Sequence, residues 1–492
     1  MGIKFSRSKT FVNSFKVPIK REDGSIFENE VVVLPDSSHL LKNTRNALMS
    51  YNFVFDDEFV KKHNLPSNTV DLDHIKELNE FQRGKSWLYA PKLSDACFPR
   101  GSYEKMRVSP AANLLSRDVA SGLRMLVKSH DYPKEMLTTA KFCELTGEYW
   151  DAVSSRSTKQ CALSLANVEK HEEKIAKLQE YSEMMSGLSF QCKTGGQEKP
   201  IQAGTNLLVK GLIDLDRFFL TEQGLPFLLL GRFSSDAIEN YFSMVRARNR
   251  APTAVEHLRA FKALLVLKQL KPNKKGNCTL DDESHTGNWL TDLNDVKQLL
   301  EMDKLDDDDD HEPFPILIGD KLVKDFDQEN SMANALGYML KKTILKQSLC
   351  EDCQEFFISK DTNLDCHTFI EERAWREGSL TLPSLEAYKL FSFLESSFGL
   401  NSERIKLEEI TAEAFVNKFF TTVLNMFPGK IPLCHFYTLI KRFISMRLHF
   451  WSEQQTKIEK SAKKYKESEA NSAFASRSMG GHFMSTYKDT RK

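Results

Sequence analysis

Residues 234–253 read SSDAIENYFSMVRARNRAPT, and the fold turns on how they are interpreted. Asp236 and Glu239 are three apart, so on a helix they share a face. Ile238, Tyr241, Phe242 and Val245 recur at helical spacing, which predicts that the other face is core. Arg246, Arg248 and Arg250 follow, and Pro252 ends the regular structure. Spacing alone favours the plain reading, an amphipathic surface helix with a charged face. The rest of the chain has to say whether the two acids do more.

The chain has 492 residues, of which 41% are hydrophobic and 28% charged, an ordinary globular composition. That length suits roughly two to four domains with ample core. No apolar run reaches transmembrane length, so no membrane partner is expected, and MGIKFSRSKTF is not a signal peptide. Nine cysteines, an odd number, suggest a reducing compartment with free thiols. The formal net charge of zero hides an asymmetry. From Asp281 to Glu329 there are 17 acidic residues against 4 lysines, and from Phe436 to the end 12 Lys/Arg against 5 Asp/Glu. The basic tail is compatible with a polyanion, although solvated surface is the commoner meaning of a charge run.

Along the chain, FVNSFKVPI and ENEVVVL read as strands flanking REDGS, whose Asp-Gly favours a hairpin turn. VVVL runs into Pro35 and Asp36. SSHLLKNTRNALMSYNF then begins a helix with Ser37 or Ser38 as N-cap. Its stripe is Leu40, Leu41, Thr44 and Leu48, with Lys42 and Arg45 off it. From about Val54 to Glu198 the segments are helical in period, and QCKTGGQEKPIQAG is a loop. TNLLVKGLIDLDRFFL resumes the helix. The acidic segment after Lys271, with DDDDD at Asp306–Asp310, reads as a linker, and the last residues as disordered. There are no internal repeats.

A strand ending in an Asp places that carboxylate at the sheet edge where open α/β sheets put their chemistry. A later helix with Asp236 and Glu239 could bring acids to the same edge. Converging carboxylates are what a pair of divalent cations needs for phosphodiester chemistry, and hard oxygen ligands suit Mg²⁺.

LPDSSHLLKNTRNAL resembles the "DPxHLxKNxRN" motif of the P-element transposase family, which includes the THAP-domain-containing transposases. The opening stretch resembles that family's "QDxIExFFxxxRxRGGxxxxPT". Between them, in matching order, lie HIKELNEFQ, KMRVSPAANLLSRDVASGLRML, TAKFCELTGEYWDAVSSRS and LSFQCKTGGQEKPIQAGTNLLVKGLIDL. GYMLKK, LCEDC and HFYTLIKRFISMRLHFWSEQ look like its C-terminal region. The resemblance covers roughly Ser25 to Leu267 well and the remainder loosely.

The resemblance implies an α+β but predominantly helical protein. A partial RNase H-like catalytic fold at 1–47 would be interrupted by a large all-helical, GTP-binding-like insertion at 48–202 and resume at 203–270 with the acidic helix. An acidic linker at 271–330, a helical C-terminal domain at 331–470 and a disordered tail at 471–492 would follow. The implied chemistry is DNA transposition by two-metal catalysis in the nucleus, on transposon ends, by a homo-oligomer where active. Asp36 stands at the family's second acidic position and Glu239 at its final catalytic Glu, which makes both expected Mg²⁺ ligands. Asp236 is the Asp of "QDxIE", and His39, Lys42 and Arg45 match its polar and basic positions. Ser235 replaces the Gln, and Arg248-Asn249-Arg250 replaces the RGG turn. The family's first catalytic Asp and the zinc-binding THAP module are expected to be missing, since Asp23 falls in a hairpin turn and no cysteine precedes Cys97. The chain would then be a transposase fragment or a domesticated derivative, catalytically incomplete. The alternative is a non-catalytic DNA- or protein-binding nuclear protein on the same scaffold.

No GxxxxGK[ST] motif is present, so GTP would not be held by a P-loop. The resemblance points instead to Trp150, Asp151 and Ser154, with Arg107 and Val108. An Asp can accept from both guanine donors, which is the attraction of Asp151. Cys350 and Cys353 form a CxxC, followed by Cys366-His367 and Cys434-His435, and the spacing permits a structural zinc. The basic tail could contact DNA phosphates nonspecifically, and KPNKK at Lys271 is a weak nuclear signal.

Overall fold

Two strands, β1 (Ser14–Lys20) and β2 (Ile26–Val32), pair antiparallel in register from Ser14↔Val32 to Lys20↔Ile26. This is the hairpin expected from alternation on either side of an Asp-Gly turn. In the computed structural model that gives these positions, the described residues are 13–20, 25–158, 162–191, 200–248, 252–268, 317–318, 325–345, 350–359, 364–374, 380–406, 410–427 and 429–450. Asp23, Asn249, Arg250, KPNKK, the Asp306–Asp310 run, most of the basic tail and the 471–492 terminus lie outside the described residues. Among the described residues the hairpin is a two-stranded sheet, with Ile19 and Ile26 exposed.

Val32 closes β2, so Asp36 does not end a strand as expected. It N-caps α1 (Ser37–Leu48), its side chain accepting from the His39 N–H. Neither Ser37 nor Ser38 takes that role, and both are buried inside the first turn. The Asp36 carboxylate satisfies an otherwise unpaired N–H and, as an anion, is favoured at the positive end of the helix. The stripe Leu40, Leu41, Thr44 and Leu48 is buried as the period predicts. Lys42 and Arg45, expected off the stripe, are buried as well. α1 therefore enters the core on more than one side.

After α1 the chain runs through β3 (Asn52–Val54), α2 (Asp57–Lys62), β4 (Thr69–Val70), α3 (Leu72–Phe81), α4 (Ser102–Lys105), α5 (Val108–Leu114), α6 (Arg117–Ser129) and α7 (Met136–Val153). α8 (Val168–Gly187), β5 (Ser189–Gln191), α9 (Pro200–Asp216), α10 (Asp236–Arg248) and α11 (Ala254–Lys268) follow. The molecule is mostly helical, as the sequence leads one to expect, but the stretch expected to be an all-helical insertion also contains short strands. β3 pairs antiparallel with both β4 and β5. Strands of two or three residues are too short for alternation to register in a sequence. Phe53 is fully buried, its ring 4.7 Å from Phe190 and 5.5 Å from Phe142, both edge-on. Burying such a ring stabilises by about 1.5–3 kcal/mol. Pairing 52–54 with 189–191 brings together the two ends of the stretch expected to be an insertion.

Arg45 shows how tightly α1 is built in. Its Nη2 donates to the Lys105 carbonyl at 2.7 Å and its Nε to Asn46 Oδ1 at 3.1 Å. That carbonyl ends α4, where no intrahelical donor reaches it and a cation is favoured.

The apolar face predicted for α10 is only partly covered. Val245 is buried, yet Ile238 is 61% and Phe242 38% exposed. α10 packs on α11 through Val245 and Ala260, with Tyr241 and Met244 beside them. The Tyr241 hydroxyl lies 2.9 Å from His257 Nε2. Helical period identifies a face, but only a partner element can bury it.

By backbone contacts the chain divides into two compact units, one of Met1–Thr286, Lys324–Asn334 and Asn363–Leu380, the other of Gly287–Val323, Ala335–Thr362 and Thr381–Lys492. The second contains helices Leu385–Lys406, Ala412–Met426 and 433–450. Its core is phenylalanine-rich: Phe391, Phe415, Phe419, Phe436 and Phe443 are buried, with Phe391 and Phe443 ring centroids 5.3 Å apart. The helix Phe326–Leu340 begins inside the stretch read as linker, and its Asp327 is 4% exposed.

Candidate acidic site at the start of α10

A turn at Leu230–Phe233 delivers the chain to α10, and it is docked on the end of α7. The Gly231 N–H donates to the Ser155 carbonyl at 2.9 Å, and the Leu230 N–H donates to Ser155 Oγ at 3.2 Å. A Cβ at Gly231 would lie 2.7 Å from that carbonyl oxygen and 2.8 Å from Ser154 O, so only glycine permits the approach. The Ser234 hydroxyl donates back to Gly231 O at 3.0 Å. Ser235 is thereby fixed opposite the start of α1.

There it meets Asp36. The Ser235 N–H donates to Asp36 Oδ2 at 2.7 Å and its hydroxyl to the same oxygen at 2.5 Å. Asp36 Oδ1 accepts from the His39 N–H at 2.8 Å, and His39 Nδ1 lies 3.1 Å from it. Ser235 Oγ is 3.4 Å from Glu239 Oε1, and His39 Nε2 is 3.6 Å from that oxygen. The structure thus joins Asp36 to Glu239 through a serine and a histidine. Only a ring carrying both N–H protons could donate toward both carboxylates. Burial alone would raise the Asp36 pKa, but the hydrogen bonds from Ser235 and His39 outweigh it and hold the carboxyl below its ordinary value.

Asp236 goes elsewhere. It is buried and ion-paired with Arg156, whose Nη2 also lies 3.4 Å from Ser234 Oγ. Two acids that share a helix face by spacing therefore serve different partners. A site for two cations needs several carboxylate oxygens turned to a common point with lone pairs left over for the metals. Both oxygens of Asp36 already accept hydrogen bonds, and Asp236 is neutralised by an arginine. Glu239 keeps the most open surface of the three, with its side chain 37% exposed. As folded, these residues do not fit a Mg²⁺ pair.

Two contributors escaped the sequence. Ser235 stood only as a departure from a family Gln, although a serine just before an acidic helix start is a cap signal. Arg156 carried no signal, because its partner lies 80 positions away.

The residues singled out for nucleotide lie on neighbouring elements. Arg107 precedes α5 and is exposed, Val108 begins that helix half-buried, and Trp150 and Asp151 occupy the last turn of α7. Trp150 is half-buried against the core and Asp151 is exposed. Desolvation is the largest influence on the Asp151 carboxyl, pushing it up to about 6; Arg117 opposes, and Asp118 and Glu148 add to the rise. The exposed position argues for a smaller rise than full burial would give. An open carboxylate with Arg117 and Lys92 in its field suits a ligand that offers donors at one end and negative charge at the other.

Residues 38–164 match the family described as the TNP-like, GTP-binding insertion domain. Among solved structures, a chain of the Drosophila P element transposase strand transfer complex is similar, with 19% identity and a TM-score of 0.40. The similarity covers 49% of this chain and 53% of that one, so the chain spans about half the length of that relative. A search of curated proteins gave no match. Residues 38–164 are therefore similar to a TNP-like, GTP-binding insertion domain.

Proposed function

We propose that this protein is a transposase derivative that binds DNA and guanine nucleotide but does not cut or join DNA strands. The supporting observation is the state of Asp36. Its carboxylate is a structural joint between α1 and the start of α10, with both oxygens engaged by Ser235 and His39. A ligand for catalytic Mg²⁺ would have to give up those contacts. In this reading the hairpin, α1 and α10 descend from an RNase H-like fold split by the insertion at 48–202 and resumed at 203–270. The acidic linker at 271–330, the helical region at 331–470 and the tail at 471–492 complete the division. The insertion binds GTP with Asp151 on the guanine edge. Trp150, Val108 and Arg107 line the approach. The basic C-terminal segment contacts DNA phosphates, and the protein works in the nucleus.

Two assays test it. Purified protein with Mg²⁺ or Mn²⁺ is expected to leave duplex DNA uncut and unjoined. Cleavage that disappears in Glu239→Ala would restore the catalytic reading. GTP at millimolar concentration is expected to raise the melting temperature more than ATP does, because a ligand bound only to the folded state stabilises it. Asp151→Asn should erase the preference, and no shift with either nucleotide would remove the nucleotide from the proposal.

A further inference from the structure

The CxxC left with two possible partners in the sequence finds one of them in the second unit. Cys350 precedes the helix Glu351–Phe357, and Cys353 lies in its first turn. Cys434 and His435 lie in the first turn of helix 433–450. Cys353 Sγ is 3.0 Å from Cys434 Sγ and 3.4 Å from His435 Nδ1, and Cys350 Sγ is 3.4 Å from Cys434 Sγ. All four donor atoms lie within 4.8 Å of one another. Cys366 and His367, the other pair, are buried beside Phe369 and Ile370 and are not part of this cluster.

The spacing is informative. Ligands about 2.3 Å from a tetrahedral zinc form a figure with edges of about 3.8 Å. The three separations of 3.0–3.4 Å fall below that value, and the whole set, within 4.8 Å, is compact enough for one ion to reach every donor. A disulfide would bring two sulfurs to about 2.05 Å and leave the remaining donors without purpose. Cys350, Cys353 and Cys434 are instead free thiols. Three thiols and an imidazole converging on a point gain little from one another, since S–H is a weak donor.

We propose that Cys350, Cys353, Cys434 and His435 bind one Zn²⁺ as a closed structural site. Three thiolates and one imidazole are a soft donor set that suits zinc and leaves no position for water or substrate. The ion would clip the helix Glu351–Phe357 to helix 433–450 across 84 positions of sequence. Phe357 and Phe436, stacked with centroids 6.3 Å apart, pack beside the clip. This role is independent of the acidic site.

The test is metal analysis of the full chain, expressed with zinc in the medium and purified without added chelator. It is expected to retain one zinc per chain, and Cys366→Ser should keep it while Cys434→Ser loses it. Exchange into Co²⁺ should give thiolate charge-transfer and intense d–d bands of a tetrahedral site. Chelation should lower the melting temperature of the wild type. Should Cys434→Ser fail to fold, the wild-type stoichiometry and the cobalt spectrum still decide. Substoichiometric zinc in folded wild type, or a Cys353–Cys434 disulfide found by mass spectrometry, overturns the proposal.

Discussion

Replacing Asp36 by alanine separates a structural joint from a catalytic acid by the sign of its effect on stability. In the structural reading the substitution removes the α1 N-cap, which costs about 1 kcal/mol. It also takes the acceptor from the Ser235 N–H and hydroxyl, and a half-buried donor left without a partner costs about 1–2 kcal/mol more. The sum is about 2–3 kcal/mol, or a fall in melting temperature of roughly 4–10 °C for a body of this size. Asp36→Asn keeps an acceptor for the His39 N–H and is expected to lose about half as much. Had Asp36 and Glu239 been poised to hold cations, removing one of two repelling carboxylates would leave the protein as stable or more so. In that case Mn²⁺ would also protect the wild type and not the variant. Urea unfolding followed by circular dichroism, with and without Mn²⁺, distinguishes the outcomes. An Asp36→Ala protein at least as stable as wild type would refute the structural reading. A double-mutant cycle with Ser235→Ala adds a second check, since contacting partners must couple.

Arg156→Ala should cost about 3–5 kcal/mol by leaving Asp236 buried without a counter-charge, while Arg156→Met combined with Asp236→Leu should be close to neutral; a single-variant loss below about 1 kcal/mol in urea would contradict the pairing. Gly231→Ala should cost about 1–3 kcal/mol, because its Cβ meets backbone rather than a movable side chain; an unchanged urea midpoint would show that the turn relaxes freely. Asp327 accepts from the Tyr89 hydroxyl at 2.7 Å, pairs with Lys85 and lies 2.5 Å from His130 Nε2. Burial alone would raise its pKa, but the hydrogen bonds from Lys85, Tyr89 and His130 outweigh it and lower the value. The stability it contributes is therefore present above the unfolded carboxylate value of about 3.9 and lost as pH falls through the lower folded value. Asp327→Asn should be less stable at neutral pH and show a flatter acid limb, and parallel pH profiles of urea midpoints for the two proteins would contradict the assignment.

Much of the architecture was legible in the chain. The β1–β2 hairpin follows from two alternating runs around Asp-Gly, and the stripe Leu40, Leu41, Thr44 and Leu48 predicted the buried line of α1. These are local periodicities, and a short window suffices to read them. The ordered blocks from LPDSSHLLKNTRNAL to the start of α10 pointed to a transposase family, and residues 38–164 match a TNP-like, GTP-binding insertion domain. What the sequence misjudged is what depends on partners. Lys42 and Arg45 lie off the predicted stripe yet are buried, whereas Ile238 and Phe242 looked like core and are exposed. Asp327 belonged by composition to a solvated acidic run, yet it closes a buried network with residues 242 positions away or nearer. Asp236 and Glu239 share a helix face by spacing, but Arg156 claims one while Ser235 and His39 meet the other. The choice between Cys366-His367 and Cys434-His435 as partners of the CxxC was equally open until the helices packed. Period and composition constrain residues within a turn or two of each other; which charge is neutralised, and which acid is left able to act, is set by contacts between segments that only folding brings within a few ångströms.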